Sequence, residues 1–177
     1  MRGLFHVAAV ALLTTACSSG PTSASRTSPT AAAAAVSPLP AATIVPGGCG
    51  ATPVFKGGVP AWLDQAGANN NPDGLPYVVG IPSLAAGFIF GYPLRAGHPQ
   101  SPTNKILWVV GMPRNRSALE ITGHPLTATT PSIQQSQPAD SGPGEIYPSI
   151  VDVPRPGCWH FDLSWAGHHA AVELEYQ

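Results

Sequence analysis

Two neighbouring stretches at the end of the chain alternate strictly between apolar and polar side chains. The apolar members are Trp159, Phe161, Leu163 and Trp165 in the first stretch and Ala170, Val172, Leu174 and Tyr176 in the second. If residues 166–167 form the loop between them, one antiparallel register puts every large apolar side chain on the same face. This pattern predicts a β-hairpin with one buried face, and it excludes a helix for these residues.

Prolines and glycines interrupt the chain before this hairpin, and the whole chain of 177 residues has 21 prolines and 19 glycines. No stretch there carries a sustained 3.6-residue apolar repeat, and one or two helical turns at 61–68 are the most that we expect. Residue 108 lies in a run that is apolar on both faces, which favours a central strand. Short strands are predicted at 77–81, 88–92, 105–110, 119–122 and 147–153.

The first sixteen residues have the features of an export signal. Arg2 precedes an apolar run that is too short to span a membrane, and Thr14, Thr15 and Ala16 are small, as signal peptidases require. Cys17 follows directly, so the segment resembles the lipobox of bacterial lipoproteins, although Thr14 stands where many lipoboxes have leucine. The resemblance implies a lipid on Cys17 and a location at the extracytoplasmic face of the cell membrane. An ordinary secretory signal is the alternative.

Residues 17–46 are predicted to be a disordered tether, and residues 47–177 a single folded domain. The tether is rich in serine, threonine, alanine and proline, and Arg26 is its only charged residue. Such a composition buries too little apolar surface to offset the entropy of folding.

The predicted domain has six basic and nine acidic side chains, without a basic cluster. Nucleic acid is therefore not expected as a partner, because its phosphates require a concentrated positive surface. The expected partners are the membrane, through the lipid, and a protein or glycan of the cell envelope.

Cys49 and Cys158 are the cysteines that remain when Cys17 carries a lipid. Export to an oxidising compartment favours a disulfide between them. It would close a loop of more than one hundred residues and stabilise the fold by roughly 4–5 kcal/mol in the chain-entropy description. Two free thiols are the alternative.

The last seventy residues resemble uncharacterised bacterial lipoproteins with an immunoglobulin-like domain. The resemblance is carried by Tyr147-Pro148-Ser149, by Pro156-Gly157-Cys158-Trp159 and by the hairpin that follows, together with the strand Lys105-Ile106-Leu107-Trp108. It implies a single antiparallel immunoglobulin-like β-sandwich in the cell envelope, and it implies no catalytic residues. The wide spacing of the two cysteines differs from that of variable-type immunoglobulin domains.

The polar face of the hairpin carries the first candidates for a metal site. These are His160, Asp162, His169 and Glu173, with His160 and Glu173 opposite each other in the predicted register. Imidazole and carboxylate groups bind Zn²⁺ and Cu²⁺. The alternative is a solvated sheet face with ordinary cross-strand polar pairs.

A short internal repeat supplies two more candidate metal ligands. Gly97-His98-Pro99 resembles Gly123-His124-Pro125, and two such turns at one end of a sandwich could bring His98 and His124 together. The alternative is that glycine and proline recur because turns require them.

No catalytic motif of hydrolases is present, and no Gly-rich phosphate loop opens a helix. The expected function is therefore a non-catalytic binding or interaction module without a cofactor, apart from the lipid on Cys17. A zinc- or copper-binding envelope protein and an extracytoplasmic enzyme with an unrecognised site are the alternatives.

Overall fold

The computed structural model describes residues 41–177, which form ten β-strands and one short helical segment. The strands are β1 (Thr43–Cys49), β2 (Thr52–Lys56), β3 (Tyr77–Val79), β4 (Ala85–Ile89), β5 (Lys105–Val110), β6 (Leu119–Pro125), β7 (Ile133–Gln137), β8 (Ile146–Ile150), β9 (Gly157–Trp165) and β10 (His168–Tyr176). One α-helical turn, α1 (Ala61–Leu63), continues into a π-helical turn (Asp64–Ala68). The predicted signal, Cys17 and most of the predicted tether lie outside the described residues.

The strands pair antiparallel in the order β7-β6-β9-β10-β1-β2-β3-β4-β5-β8. Strands β1 to β5 follow one another as a meander, whereas β8 joins β5 and β9 joins β6. Strands β7 and β8, at the two ends of this order, approach each other, so the sheet curls around its apolar core. The prediction of a mainly antiparallel β fold is confirmed, and its form is that of a sandwich or barrel.

The predicted C-terminal hairpin is confirmed. Strands β9 and β10 pair from His168 opposite Trp165 to Tyr176 opposite Gly157, with residues 166–167 as the loop. Ala166 and Gly167 both have positive φ angles, 46° and 82°. A two-residue loop with both φ angles positive matches the right-handed twist of the strands.

The apolar face of this hairpin forms much of the main core. All eight predicted inward residues are buried, and Trp108 on β5 belongs to the same apolar cluster. Trp108 also donates a hydrogen bond from Nε1 to Ser149 Oγ at 2.9 Å, which satisfies its polar atom inside the core. As predicted, β5 is a central strand, with β4 on one side and β8 on the other.

A second apolar cluster lies beneath the helical segment. Leu63 of α1 is fully buried together with Tyr77 and Phe88. The helical turns at 61–68, which the sequence predicted, therefore shield the outward apolar side chains of β3 and β4.

One predicted strand is displaced. The sequence placed a strand at 88–92, whereas β4 is Ala85–Ile89. The strand begins earlier than predicted because its first residues are small. Gly87 has no room for a side chain, since an added Cβ there would lie 2.6 Å from Cζ3 of Trp108. Small residues are required where the tryptophan ring packs, and small residues carry no alternation that the sequence pattern could reveal.

Three strands were not predicted. β1 and β2 form a hairpin at the start of the described chain, and β1 begins at Thr43, inside the segment 17–46 that was assigned to the tether. β7 has the sequence Ile-Gln-Gln-Ser-Gln and pairs on one side only, with β6. Apart from Ile133, this polar edge strand has none of the β-branched and aromatic residues on which strand prediction depends.

Within residues 41–177, none of the helical turns is long and apolar enough to cross a membrane.

Candidate metal centre

The candidate centre lies on the outer face of β6, β9 and β10. His124 on β6 is directly opposite His160 on β9, and His160 is directly opposite Glu173 on β10. Asp162 lies two residues beyond His160 on β9, so both side chains point outward while Phe161 between them is buried. The alternation that buries the aromatic residues therefore also gathers the polar ones.

His124, His160 and Asp162 form a compact group of metal-binding side chains. One ligand atom from each of the three lies within 4.8 Å of the other two. The imidazole rings of His124 and His160 are stacked, with centroids 5.2 Å apart and an interplanar angle of 25°. Both rings thus present nitrogen atoms to the same small volume above the sheet.

The separation between His160 and Asp162 suits a shared metal ion as well as a long hydrogen bond. Nε2 of His160 is 3.4 Å from Oδ1 of Asp162, at the long end of hydrogen-bond distances. Two ligand atoms bound to one tetrahedral zinc ion at about 2.0 Å lie roughly 3.3 Å apart. The pair is therefore spaced as two ligands of one metal ion would be.

The hydrogen bonds of His124 fix which nitrogen atom is free. Nδ1 of His124 lies 2.9 Å from the carbonyl oxygen of Pro125 and 3.0 Å from that of Ala128. Carbonyl oxygens only accept, so Nδ1 carries the proton and Nε2 keeps its lone pair. A ligand histidine commonly donates its second ring nitrogen to a carbonyl or carboxylate in this way.

Glu173 lies beside the other ring nitrogen of His160, Nδ1. Its Oε1 lies 3.4 Å from Nδ1 of His160, on the side of the ring away from Asp162. The side chains of Glu173 and His160 are 15% and 24% exposed, so the pair is partly shielded from water. A carboxylate at this place orients the ring and leaves Nε2 towards Asp162.

The turn between β1 and β2 holds Glu173. The backbone N–H of Ala51 donates to Oε2 of Glu173. Oγ1 of Thr52 donates to the Glu173 carbonyl oxygen at 2.8 Å and accepts from the Glu173 N–H at 2.6 Å. Gly50 lies so close to the carboxylate that a Cβ atom there would collide with it. These contacts fix both the backbone and the carboxylate of Glu173.

Cys49 and Cys158 lie next to this turn as partly buried free thiols. Burial raises the pKa of the Cys49 thiol, and its hydrogen bond with Cys158 raises that pKa further, as does the charge of Glu173. The Cys49 thiol therefore stays protonated at neutral pH. The two sulfur atoms are neighbours without a bond between them, and the disulfide stays a prediction.

His169 and His98 are not part of the centre. His169 pairs with Ser164 towards the loop end of the hairpin, four residue pairs from His160. Nδ1 of His98 lies 2.7 Å from Oδ2 of Asp152, in a separate loop contact. Of the four hairpin candidates, His160, Asp162 and Glu173 come together, and His169 does not.

The described metal-binding group contains His124 but not His98, and the two Gly-His-Pro segments have different structures. Gly97 has a φ of 82° with open space around it, as a turn glycine does, whereas Gly123 lies within β6. An added Cβ at Gly123 would lie 2.6 Å from Cδ1 of Phe161. Gly123 thus makes room for a core ring and places His124 beside His160, a pairing that the sequence reasoning missed.

No protein-family model matches the chain, and neither a curated protein nor a solved structure is significantly similar to it.

Proposed function

We propose that this protein is a non-catalytic metal-binding module of the bacterial cell envelope. The observation that carries the proposal is the convergence of His124, His160 and Asp162, whose ligand atoms lie within 4.8 Å of one another on an outward sheet face. The proposal takes up the zinc- or copper-binding alternative from the sequence, in place of the interaction module without a cofactor that was expected there. No observation on residues 41–177 favours an enzyme over it.

The donor set selects the class of metal. Two imidazoles and one carboxylate are typical ligands of Zn²⁺, and imidazole also binds Cu²⁺ strongly. Three protein ligands leave one coordination position for water or for a group from a partner. We therefore propose zinc or copper as the ion, with a protein or glycan of the envelope as a partner on the same face.

The proposed location depends on the N-terminal residues. We infer that Cys17 is lipidated and that the segment before β1 holds the domain at the extracytoplasmic face of the membrane. The small residues before Cys17 and the short apolar run support this. Cys17→Ser is expected to release the folded protein from the membrane fraction, and retention there would contradict the lipid anchor.

We further propose the immunoglobulin-like sandwich as the finer class of the fold. The resemblance of residues 147–159 and the pairing of β5 with β8 support it. The meander from β1 to β5 differs from the Greek-key connections of immunoglobulin domains. A solved relative in which the strands follow the same order would test the assignment.

Calorimetric titration of the full-length protein in mild detergent with ZnCl₂ tests the metal function. We expect one zinc site per chain, and an affinity at least about tenfold lower in His160→Ala. His169→Ala is the matched control, because His169 is on the same strand pair but outside the centre. Equal zinc affinities of the wild type and His160→Ala would contradict the proposal.

Acidification provides a second readout of the same site. Zinc binds only neutral imidazole, so protons compete with the metal for His124 and His160. We expect zinc affinity to be lower in acidic than in neutral buffer. Equal zinc affinities in the two buffers would exclude histidine ligands.

A further inference from the structure

We propose that Cys49 and Cys158 form a redox-sensitive latch that controls the affinity of the neighbouring metal centre. The proposal rests on the metal-binding function given above and adds its regulation. In the oxidised state a disulfide joins the two strands, and metal binding is tighter than in the dithiol state.

A continuous set of contacts links the thiols to the metal ligands. Cys49 is the last residue of β1, and it faces Thr52 across the two-residue turn of Gly50 and Ala51. The Ala51 N–H and the Thr52 hydroxyl hold Glu173, and Glu173 in turn faces Nδ1 of His160. A change in the position of Cys49 therefore alters the orientation of His160 through the turn and the Glu173 carboxylate.

The second thiol is on the strand that carries the metal ligands. Cys158 is two residues before His160 on β9, and alternation puts both on the outer face. Strand β10 lies between β1 and β9 in the sheet order. Residues of β1 and β9 also contact each other directly, so a Cys49–Cys158 disulfide would fasten the turn to the strand of His160 and Asp162.

The chemical step is thiol–disulfide exchange with a low-molecular-weight disulfide such as glutathione disulfide. Cys158 attacks the reagent as a thiolate and releases one glutathione thiol, and Cys49 then gives up its proton, attacks the mixed disulfide and releases a second. The protein loses two protons and two electrons, and both are recovered in the two glutathione thiols. The partial exposure of both cysteines gives the reagent access.

The direction of the effect follows from the position of Glu173. A covalent tie restricts the turn that holds the carboxylate, so Glu173 remains beside His160 and its ring stays aimed at Asp162. Loss of a partner that orients a metal-binding histidine typically lowers affinity 10–100-fold. Loosening the turn is a milder change, and we expect zinc to bind about tenfold more tightly to the disulfide form than to the dithiol form.

The experiment compares zinc titrations of full-length protein in the two redox states. One sample is oxidised with glutathione disulfide and the other is reduced and desalted under anaerobic conditions, with the state of each confirmed by mass spectrometry. Two variants serve as controls. Cys49→Ser/Cys158→Ser should bind zinc equally after both treatments, and Glu173→Gln should form the disulfide but show no difference in affinity between its two states.

The possible outcomes separate this inference from the proposed function. About tenfold tighter binding by the disulfide form, lost in Glu173→Gln, supports the latch. Failure of the disulfide to form, or equal zinc affinities in the two states, overturns the latch and leaves the metal function intact. Absence of zinc binding in both states overturns the proposed metal function and the latch together. Zinc retained by the reduced His160→Ala variant but not by its oxidised form would show that the thiols bind the metal themselves, and it too overturns the latch.

Discussion

The two outer faces of the curled sheet differ in what covers them. Over β3 and β4 the outward side chains include Tyr77 and Phe88, and Leu63 of the helical segment packs on them. Over β6, β9 and β10 the outward side chains include His124 and Asp162, and the face is open to solvent. The covered face contributes a second apolar cluster to stability, whereas the open face keeps its polar groups available for a ligand.

This difference shows how one chain divides stability and binding between the two sides of a sheet. Each strand of the open face sends aromatic and aliphatic side chains inward, so its outward positions are not needed for packing. We therefore expect substitutions to be costly on the inward side of β9 and under the helix, and to have little effect on the outward side.

The largest effect is expected for Phe161→Ala. Phe161 is fully buried, lies 6.1 Å from the Tyr176 ring between centroids, and fills the space that Gly123 leaves. Its truncation should lower the free energy of unfolding by about 3–5 kcal/mol, measured by urea denaturation. Phe90→Ala is the matched control, because Phe90 is 44% exposed. Equal losses in the two variants would contradict the assigned core.

A smaller loss is expected for Leu63→Ala on the covered face. Leu63 of α1 is fully buried, and truncation of its side chain leaves a cavity against Tyr77 and Phe88. We expect the free energy of unfolding to fall by about 2–3 kcal/mol in the same denaturation experiment. Ile44→Ala, at a position that is 71% exposed, should change it by less than about 1 kcal/mol. A negligible loss for Leu63→Ala would show that the helical segment is not needed as a cover.

The smallest effect is expected for Asp162→Asn without metal. The Asp162 side chain is 63% exposed, and its substitution should change the metal-free stability by less than about 0.5 kcal/mol. At zinc concentrations one hundred times the dissociation constant, the wild type should gain about 2.7 kcal/mol, and the variant should gain clearly less. Equal zinc-dependent gains, measured by thermal denaturation, would remove Asp162 from the ligand set.

The contrast between the faces also explains how much the sequence could predict. The sequence of β9 and β10 alternates clearly because one face is buried and the other is solvated. Their register and three of the four polar candidates follow from this alternation. β4 is buried on both faces and begins with three small residues, which removes the pattern. The pairing of His124 with His160 was missed for a different reason. Gly-His-Pro is typical of a turn, and only the packing of Phe161 explains the glycine within β6.

Gly123, which has no side chain, also gives a way to search other sequences for this site. The short sequence pattern is a strand that ends Gly-His-Pro, followed after about thirty-five residues by Trp-His-Phe-Asp. It specifies both the space for the phenylalanine ring and the two opposed imidazoles. A chain with alanine in place of the glycine would have to move the phenylalanine ring and, with it, the backbone between the two histidines. The glycine, which binds nothing, is thus a sharper marker of the centre than any single one of its ligands.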